Sequence, residues 1–284
     1  MAKRGFQGAV LKVLRAREYP LAVVERSPLT PSCVRVVFSA PELLGAVPLS
    51  AASWLRLWVP DPERPDVEHQ RGYTIAVDFV QHEPSGPAST WAARAEAGDR
   101  IGAMSMGSTE VSFAGQDQPE GYLMIGDAAS VPAIRSLVAE VPAHVPVRVY
   151  LEEHSDSDRD LPFASHPRLE VRWVPREGPE SLARAVDPGD YRGWYAWATP
   201  EFRSLRALKP RLKEWGLAKG RLHAQAYWIE GWAARAGRSA EAVPARADGG
   251  VRSKPSPLTT STYRYSLACP MTPRGRCRNS EHPL

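Results

Sequence analysis

The pattern of the chain changes near its middle, and this change constrains the fold more than any other feature of the sequence. Before Pro87, short strand-like runs such as 21–25, 34–39 and 53–59, the first two rich in β-branched residues, are separated by proline-rich turns, which is typical of a small antiparallel barrel or sandwich. From Tyr122 onward, apolar strand-like runs alternate with helix-like segments. Such alternation predicts a parallel sheet covered by helices on both faces.

Length and composition agree with two domains and a separate tail. The 284 residues are 43% hydrophobic, enough to bury a core in each of two domains. We expect an antiparallel β-barrel over 1–117, a Rossmann-like α/β domain over 118–232 and a disordered basic tail over 233–284. The tail has few large apolar residues and no sustained period, so burial does not offset the entropy of ordering it.

Charge and cysteine content exclude several classes of protein. The tail holds nine Lys and Arg residues against three acidic ones, so the rest of the chain, with 27 basic and 29 acidic residues, has no cationic excess. We therefore predict no nucleic-acid partner. Three scattered cysteines suit neither a disulfide framework nor a zinc site, and no metal is predicted. Without a long apolar stretch or a secretory leader, we expect a cytoplasmic monomer with no membrane partner.

The strand-like run 53–59 alternates between two faces. Its odd positions from Leu55 are aliphatic and suit a core, whereas its even positions are Trp54, Arg56 and Trp58. The second face is either a ligand-binding surface or another apolar layer packed under a loop.

Residues 71–74 begin a predicted strand that runs to His82, on which Arg71 and Tyr73 share one face. A guanidinium pairs with a pyrophosphate, a tyrosine ring can lie against an isoalloxazine, and the Thr74 hydroxyl can hydrogen-bond the N5 edge of that ring. The segment therefore suits a flavin nucleotide. A surface ion pair for Arg71 and a packing role for Tyr73 are the structural alternatives.

The segment HEPSGPASTW, residues 82–91, precedes and opens a predicted helix that ends near Gly98. Gly86 permits close approach of a ligand, and Pro87 suits the first helical turn. The start of a helix presents free N–H groups and a positive dipole end to an anion. Together with Tyr73, this segment predicts a phosphate cradle beside an aromatic platform.

In order and spacing, these segments resemble the siderophore-interacting proteins, which are FAD-dependent ferric-siderophore reductases related to ferredoxin-NADP reductases. The resemblance covers nearly all of residues 15–231. The matching segments are LTPSCVRVVFSAPEL (29–43), RGYT (71–74), DFVQH (78–82), GPASTWA (86–92), GDR (98–100), YLMIGDAASVPAI (122–134) and AYWIEG (226–231).

The resemblance implies an FAD-binding barrel, an NAD(P)H-binding-like α/β domain and a set of cofactor residues. These residues are Arg71, Tyr73, Thr74, His82, Gly86, Pro87, Ala88, Ser89, Trp91, Asp127 and Ala129. Tyr73 and Thr74 would orient the flavin ring and set its N5 environment, and are the predicted catalytic pair. The structural alternatives are a hydrogen-bonded loop residue for His82, a core residue on the helix face for Trp91 and a helix cap for Asp127.

The sequence departs from the family pattern in several places. A hairpin is missing between Thr74 and Asp78, Glu83 stands where the family has a glycine, and Ile229 where it has an arginine. Residues 197–201 read WATPE in place of the family's WVAGE. No GxGxxG fingerprint, which marks many dinucleotide-binding domains, follows a strand in the second half. The sequence therefore does not decide between NAD(P)H and a ferredoxin as the electron donor.

Two charged segments have alternative interpretations. The acidic run 152–160 resembles a metal site but is expected to be a solvated loop. A helix with Thr199 as its N-cap carries basic residues at 203, 206, 209 and 213. Such a stripe suits a cofactor phosphate or an acidic ferredoxin, although a solvated helix face is the more typical explanation.

These observations predict an FAD-dependent reductase that passes electrons to Fe(III) in a siderophore and releases iron as Fe(II), because the reduced ion is bound more weakly by hard oxygen ligands. Arg56, where the family commonly has a lysine, is the predicted contact to an anionic ferric siderophore. Two alternatives stay open: a general NAD(P)H-dependent flavin or ferric reductase, and a non-catalytic relative that binds a ferric chelate or a protein partner without tight flavin binding.

Overall fold

The computed structural model describes residues 17–230, apart from 65, 75, 76, 84, 108, 110, 114 and 116. The predicted tail, 233–284, lies outside the described residues. The described chain forms an antiparallel sheet followed by a parallel one. The prediction of an antiparallel barrel followed by a Rossmann-like domain is confirmed.

Six strands form the antiparallel barrel, in the order β4-β3-β6-β1-β2-β5. The strands are β1 (Tyr19–Thr30), β2 (Cys33–Ser39), β3 (Trp54–Pro60), β4 (Glu68–Thr74), β5 (Asp78–Val80) and β6 (Arg100–Ser105). Two helices, α1 (Pro41–Ala46) and α2 (Pro87–Arg94), pack against them. Helix α2 ends earlier than the sequence pattern predicts.

Strand β3 shows why the barrel forms. Leu55, Leu57 and Val59 are buried in its core, as their alternation predicts. On the other face, Trp58 is also buried, whereas Trp54 and Arg56 are half-buried. The second face is thus an apolar layer at Trp58 and a partly open surface at Trp54 and Arg56.

The expectation of one strand from Arg71 to His82 is wrong. The chain forms β4 and then β5, which lie at opposite ends of the strand order. Only residues 75–77 connect the two strands, so the edges of the sheet must come close together. The backbone N–H of Val36 on β2 donates to the Val77 carbonyl (3.1 Å), which extends the β2–β5 pairing by one residue.

The parallel sheet has the order β11-β10-β7-β8-β9. Its strands are β7 (Tyr122–Asp127), β8 (Val147–Glu153), β9 (Leu169–Pro175), β10 (Tyr195–Ala198) and β11 (Leu222–Ala224). Helix α3 (Val131–Val138) covers one face, and α4 (Ser181–Ala185) and α5 (Phe202–Glu214) cover the other. All six residues of β7 are buried, as expected for a central parallel strand.

Helix α5 begins later than predicted. Its N-cap is Glu201, whose carboxylate accepts from the backbone N–H groups of Arg203 and Ser204. The prediction that Thr199 caps this helix is therefore wrong. None of the described helices combines the length and the hydrophobicity that crossing a bilayer requires.

A polar cluster joins the barrel to the α/β domain. The Arg35 guanidinium donates twice to Asp78 (2.7 and 2.8 Å), and Arg135 on α3 lies 3.7 Å from the same carboxylate. The Ser32 hydroxyl donates to the buried Asp158 carboxylate (2.9 Å). These contacts bring β5 next to the carboxyl end of the parallel sheet.

We expect Asp78→Ala to lower the free energy of unfolding by about 3 kcal/mol, because it leaves two partly buried guanidinium groups close together without their shared carboxylate. Glu214→Ala, which removes an exposed ion pair with Arg211, is the control and should change stability little. Urea unfolding measures both variants. If Asp78→Ala and Glu214→Ala lowered the free energy of unfolding by equally small amounts, the Asp78 cluster would not stabilise the contact between the barrel and the parallel sheet.

Candidate functional site

Helix α2 begins with an N-terminus that no side chain of the described residues caps. Gly86 is its extended N-cap (φ −88°, ψ 167°) and Pro87 occupies the first turn. A Cβ atom added at Gly86 would meet nothing within 4 Å, so the approach to this helix end is open. The backbone N–H groups of Ala88 and Ser89 and the positive end of the helix dipole are left to bind an anion.

A row of aromatic rings runs from β4 to this helix. The ring centroids of Tyr73 and Phe79 are 4.5 Å apart, and those of Phe79 and Trp91 are 5.8 Å apart. Trp91 also lies parallel to Phe38, at 6.2 Å. Phe79 is fully buried, whereas Tyr73 and Trp91 are half-buried. The structure therefore brings Tyr73 and the start of α2 to the same side of the barrel.

Arg71 lies beside Tyr73, as their spacing predicts. In the β3–β4 ladder Arg71 is opposite Leu57 and Tyr73 is opposite Leu55, so both side chains leave the same face of the sheet. Burial raises the pKa of the Tyr73 phenol, and the Arg71 charge opposes this effect only in part. The phenol therefore stays protonated and able to donate a hydrogen bond.

The Arg71 guanidinium is only partly engaged. Its Nη1 donates to the Gln70 carbonyl (2.8 Å), which leaves other N–H groups of the fork for a ligand. Thr74 is the last residue of β4; its contact with a flavin N5 edge stays a prediction.

The loop between β5 and α2 holds His82 and Glu83 at the surface. Both residues are exposed, and the Ser85 hydroxyl contacts the His82 carbonyl (3.1 Å) and the Glu83 carboxylate (3.2 Å). The buried Ser89 hydroxyl donates to the Gln81 side chain (3.2 Å). Ser89 therefore offers its backbone N–H, rather than its hydroxyl, to an anion at the start of α2.

Asp127 is the last residue of β7, and its carboxylate accepts hydrogen bonds from four donors. One carboxylate oxygen accepts from the Ala129 N–H (3.0 Å) and the Ser130 hydroxyl (3.3 Å), the other from the Glu201 N–H (3.0 Å) and the Trp228 indole (2.7 Å). Burial raises the Asp127 pKa to about 6, against the lowering effect of these donors. The carboxylate thus ties the turn after β7 to the C-terminal end of the described chain.

The turn Ala128–Ser130 packs against β5, which leads into the loop before α2. Gly126 permits this sharp turn, because a Cβ atom there would collide with the Ser130 side chain. The structure therefore places the predicted residues Asp127 and Ala129 at the domain junction. Asp127 serves a structural role there as a cap and anchor, and direct contact of either residue with a cofactor stays a prediction.

Sequence reasoning missed a buried ionic cluster at the same end of the sheet. Glu152 is fully buried and accepts from Arg176 (2.6 Å) and from the Ser204 hydroxyl (3.1 Å). The expectation that the acidic run 152–160 is solvated is therefore wrong for Glu152 and for the buried Asp158. The one signal in the sequence was that Glu152 directly continues the apolar strand β8.

Arg56 lies on the opposite face of β3 and β4 from Tyr73. It stands opposite Gly72, donates to the Gln70 side chain (3.0 Å) and lies over the Trp54 ring at 5.6 Å. Arg56 therefore shares its face with Trp54, as predicted. Its contact with a substrate stays a prediction.

The carboxyl end of β10 carries two buried polar atoms without a well-formed hydrogen bond to any described residue. They are the Trp197 indole N–H and the Thr199 hydroxyl, and both lie beside the Tyr227 hydroxyl. In open parallel sheets, ligands bind at this end of the strands. Among the described residues, no group of three or more His, Cys, Asp or Glu side chains is arranged to hold a metal ion.

The antiparallel barrel followed by a parallel sheet is also the fold of the ferredoxin reductase in carbazole 1,9a-dioxygenase, which superposes with a TM-score of 0.55 at 15% identity. Residues 66–108 match the family model of the siderophore-interacting FAD-binding domain, and residues 119–231 match that of the siderophore-interacting protein. The chain therefore belongs to the siderophore-interacting protein family.

Curated relatives and solved structures agree with this assignment. The mycobactin import ATP-binding/permease protein IrtA of Mycobacterium tuberculosis is 42% identical over 275 residues, covering 93% of this chain and 32% of the relative. The ferric vibriobactin reductase ViuB of Vibrio cholerae is 24% identical over 254 residues, covering 76% of this chain and 91% of the relative. The chain thus spans about a third of the length of the IrtA relatives that it matches.

Among solved structures, a siderophore utilization protein from T. fusca superposes with a TM-score of 0.65 at 26% identity. The match covers 76% of this chain and 94% of that protein. Both domains of the described chain therefore have counterparts in that structure.

We expect Asp127→Asn to lower the free energy of unfolding by about 2 kcal/mol at pH 7, because an amide nitrogen cannot accept the bonds that one carboxylate oxygen accepts. The raised Asp127 pKa means that the folded state holds this proton more tightly than the unfolded chain. Wild type therefore gains stability from Asp127 as the pH falls from 7 to 5, and the variant does not. The difference in unfolding free energy between wild type and Asp127→Asn should therefore be larger at pH 5 than at pH 7. Urea titrations followed by tryptophan fluorescence measure both values. A smaller difference at pH 5 would contradict the burial of the Asp127 charge.

Proposed function

We propose that this protein is an FAD-dependent reductase that passes electrons from NAD(P)H, or from a ferredoxin, to Fe(III) in a siderophore and releases the iron as Fe(II). The observation that carries this proposal is the uncapped N-terminus of α2 beside the aromatic row of Tyr73, Phe79 and Trp91. Membership of the siderophore-interacting family and similarity to a ferric vibriobactin reductase support it.

The residues present fit FAD. The backbone N–H groups of Ala88 and Ser89 would bind the pyrophosphate, Gly86 leaves the space that close approach requires, and the helix dipole favours the negative charge. The free N–H groups of Arg71 would add a charged contact. Glu83 is a like charge near this cradle, but its exposed carboxylate lies in contact with the Ser85 hydroxyl and is largely screened by solvent.

Tyr73 and Thr74 would position the flavin ring. The half-buried Tyr73 ring is supported from behind by the buried Phe79, so it presents a fixed apolar surface for stacking. Bound FAD would supply the exchange between a two-electron hydride donor and a one-electron acceptor. The protein's own contribution is to bind, to orient and to provide charge at the substrate.

A pyridine nucleotide would bind at the carboxyl end of the parallel sheet. Ligands bind at this end of the strands in open parallel sheets, and the Tyr227 hydroxyl beside Trp197 and Thr199 would be close to such a ligand. An acidic ferredoxin is the alternative donor. Rates with NADH, NADPH and a reduced ferredoxin, compared side by side, decide between them.

The substrate is a ferric chelate with hard oxygen ligands. One added electron lowers the charge density of iron, so such ligands hold it less tightly and the ion is released. Three relatives are mycobactin import proteins and another is a ferric vibriobactin reductase, which supports a siderophore over free ferric citrate. A general flavin or ferric reductase is the second candidate, favoured by the missing hairpin after Thr74, which would expose the flavin to other acceptors.

The visible spectrum of the purified protein, followed by an assay of iron release, tests the function. We expect flavin absorbance, and Fe(II) captured by a chromogenic chelator faster from a ferric siderophore than from ferric citrate. Equal rates with ferric citrate and free flavin would favour the general reductase. A colourless protein that takes up no added FAD, yet binds ferric siderophore, would establish the non-catalytic alternative.

Substitutions at Gly86 separate the anion cradle from the fold. We expect Gly86→Asp to weaken FAD binding by at least about tenfold relative to Gly86→Asn, since both side chains can cap α2 but only aspartate repels a pyrophosphate. The open space at Gly86 accommodates either side chain, so both variants should be as stable as wild type. Flavin fluorescence titration measures the affinities. Equal FAD affinities in the two variants would place the pyrophosphate elsewhere.

Arg56→Glu tests the predicted substrate contact. We expect the rate of reduction of an anionic ferric chelate to fall about tenfold more than that of a neutral chelate, because the reversed charge repels only the former. Arg56→Gln serves as the control for the lost contacts with Gln70 and Trp54. Equal losses with both chelates would remove Arg56 from the substrate site.

A further inference from the structure

Helix α5 presents a basic surface that the proposed reaction does not use. One face of the helix is buried and holds Ser204, Leu205, Leu208 and Leu212. The opposite face is exposed to solvent. Its cations are Arg203, Arg206, Lys209 and Lys213. We refer to these four residues as the α5 basic face.

The α5 basic face differs from the other charged surface of the α/β domain. The exposed arginines elsewhere in this domain are mostly paired with acidic side chains: Arg148 with Glu170, Arg159 with Glu153, Arg172 with Asp187, Arg184 with Glu177, and Arg192 with Asp190. Within the described part of the chain, none of the four cations of the α5 basic face forms an ion pair. Like charges three and four residues apart repel one another, so this row is best stabilised by an external anionic surface.

Exposed aromatic residues adjoin one end of the row. Phe202, the first residue of α5, is 45% exposed, and Tyr227 is 37% exposed. The Phe202 N–H donates to the Trp228 carbonyl (3.0 Å), which places Tyr227 next to the start of the helix. Basic residues at a surface are attracted to anionic lipid headgroups, and aromatic side chains are enriched at membrane–water interfaces.

We propose that the α5 basic face lies on an anionic lipid bilayer, as a peripheral contact in which Phe202 enters the headgroup region. The cations from Arg203 to Lys213 extend along about 15 Å of helix on its solvent-exposed face, where they can meet the phosphates of several lipids. The segment 233–284 carries nine basic residues against three acidic ones and would add a second electrostatic attraction, since stable attachment takes two signals. This inference revises the sequence-based expectation of no membrane partner, and it is independent of the proposed redox activity.

The row also suits an acidic protein. The exposed Phe202 at its end and the second basic segment favour a bilayer, because an apolar side chain gains free energy by entering the headgroup region whether or not it meets a matching pocket. An acidic protein partner is therefore treated as an outcome of the test.

The test is sedimentation of the full chain with vesicles of phosphatidylglycerol and phosphatidylcholine, and with vesicles of phosphatidylcholine alone. We expect binding to the anionic vesicles that weakens with salt. Replacing all four cations of the α5 basic face by glutamine should reduce the partition coefficient by about 600-fold, at about fivefold for each cation.

The matched control replaces four other exposed arginines by glutamine and leaves the same net charge. These are Arg26, Arg94, Arg100 and Arg168. Circular dichroism verifies that both variants are folded. Phe202→Ala should weaken binding further at high salt, where charge is screened, and Phe202→Trp should restore it.

Three outcomes would overturn the proposal. The first is an absence of binding to anionic vesicles by wild type. The second is equal binding by the α5 variant and the control variant, which would assign the attraction to net charge or to the segment 233–284. The third is binding to polyglutamate but not to the anionic vesicles, which would show that the face recognises acidic protein.

Discussion

The contact between the rings of Tyr73 and Phe79 holds the candidate site together. It joins β4 and β5, the two edge strands of the antiparallel sheet, at the point where only three residues connect them. Because Phe79 on β5 also contacts Trp91 on α2, the same buried ring positions α2 relative to Tyr73. The short connection after Thr74, a departure from the family pattern, agrees with this contact between the ends of β4 and β5.

Buried carboxylates determine the other side of the junction. Asp127, Glu152 and Glu201 converge where β7 and β8 end and α5 begins, and each is held by several donors rather than by solvent. Burying charge without such partners would be costly. The arrangement fixes the turn after β7 against β5, so the barrel and the parallel sheet meet in a defined geometry at the carboxyl end of the strands.

The sequence predicted the fold class because its two periodic patterns differ and each extends over many residues. It also predicted that Arg71 and Tyr73 share a face and that α2 starts at Pro87, since both follow from local geometry. It did not predict that residues 71–82 form parts of two strands, β4 and β5. The reason is that this segment shows no clear turn signal between Thr74 and Asp78.

The buried acids were missed for a related reason. Composition alone assigns Glu152 and Asp158 to a solvated loop, since most such residues are exposed. Their burial depends on Arg176, Ser204 and Ser32, which lie far away in sequence. The cap of α5 was likewise decided by tertiary contacts: Glu201, not Thr199, holds the first turn and also accepts from the Glu230 N–H.

The central claim is that the first-turn amides of α2 receive the pyrophosphate of FAD beside the Tyr73 ring. Hydrogen–deuterium exchange, with and without FAD, measures this most directly at the backbone of residues 86–92. The account predicts that the Ala88 and Ser89 amides exchange more slowly when FAD is bound. Unchanged exchange at both amides, with protection elsewhere in the chain, would contradict it.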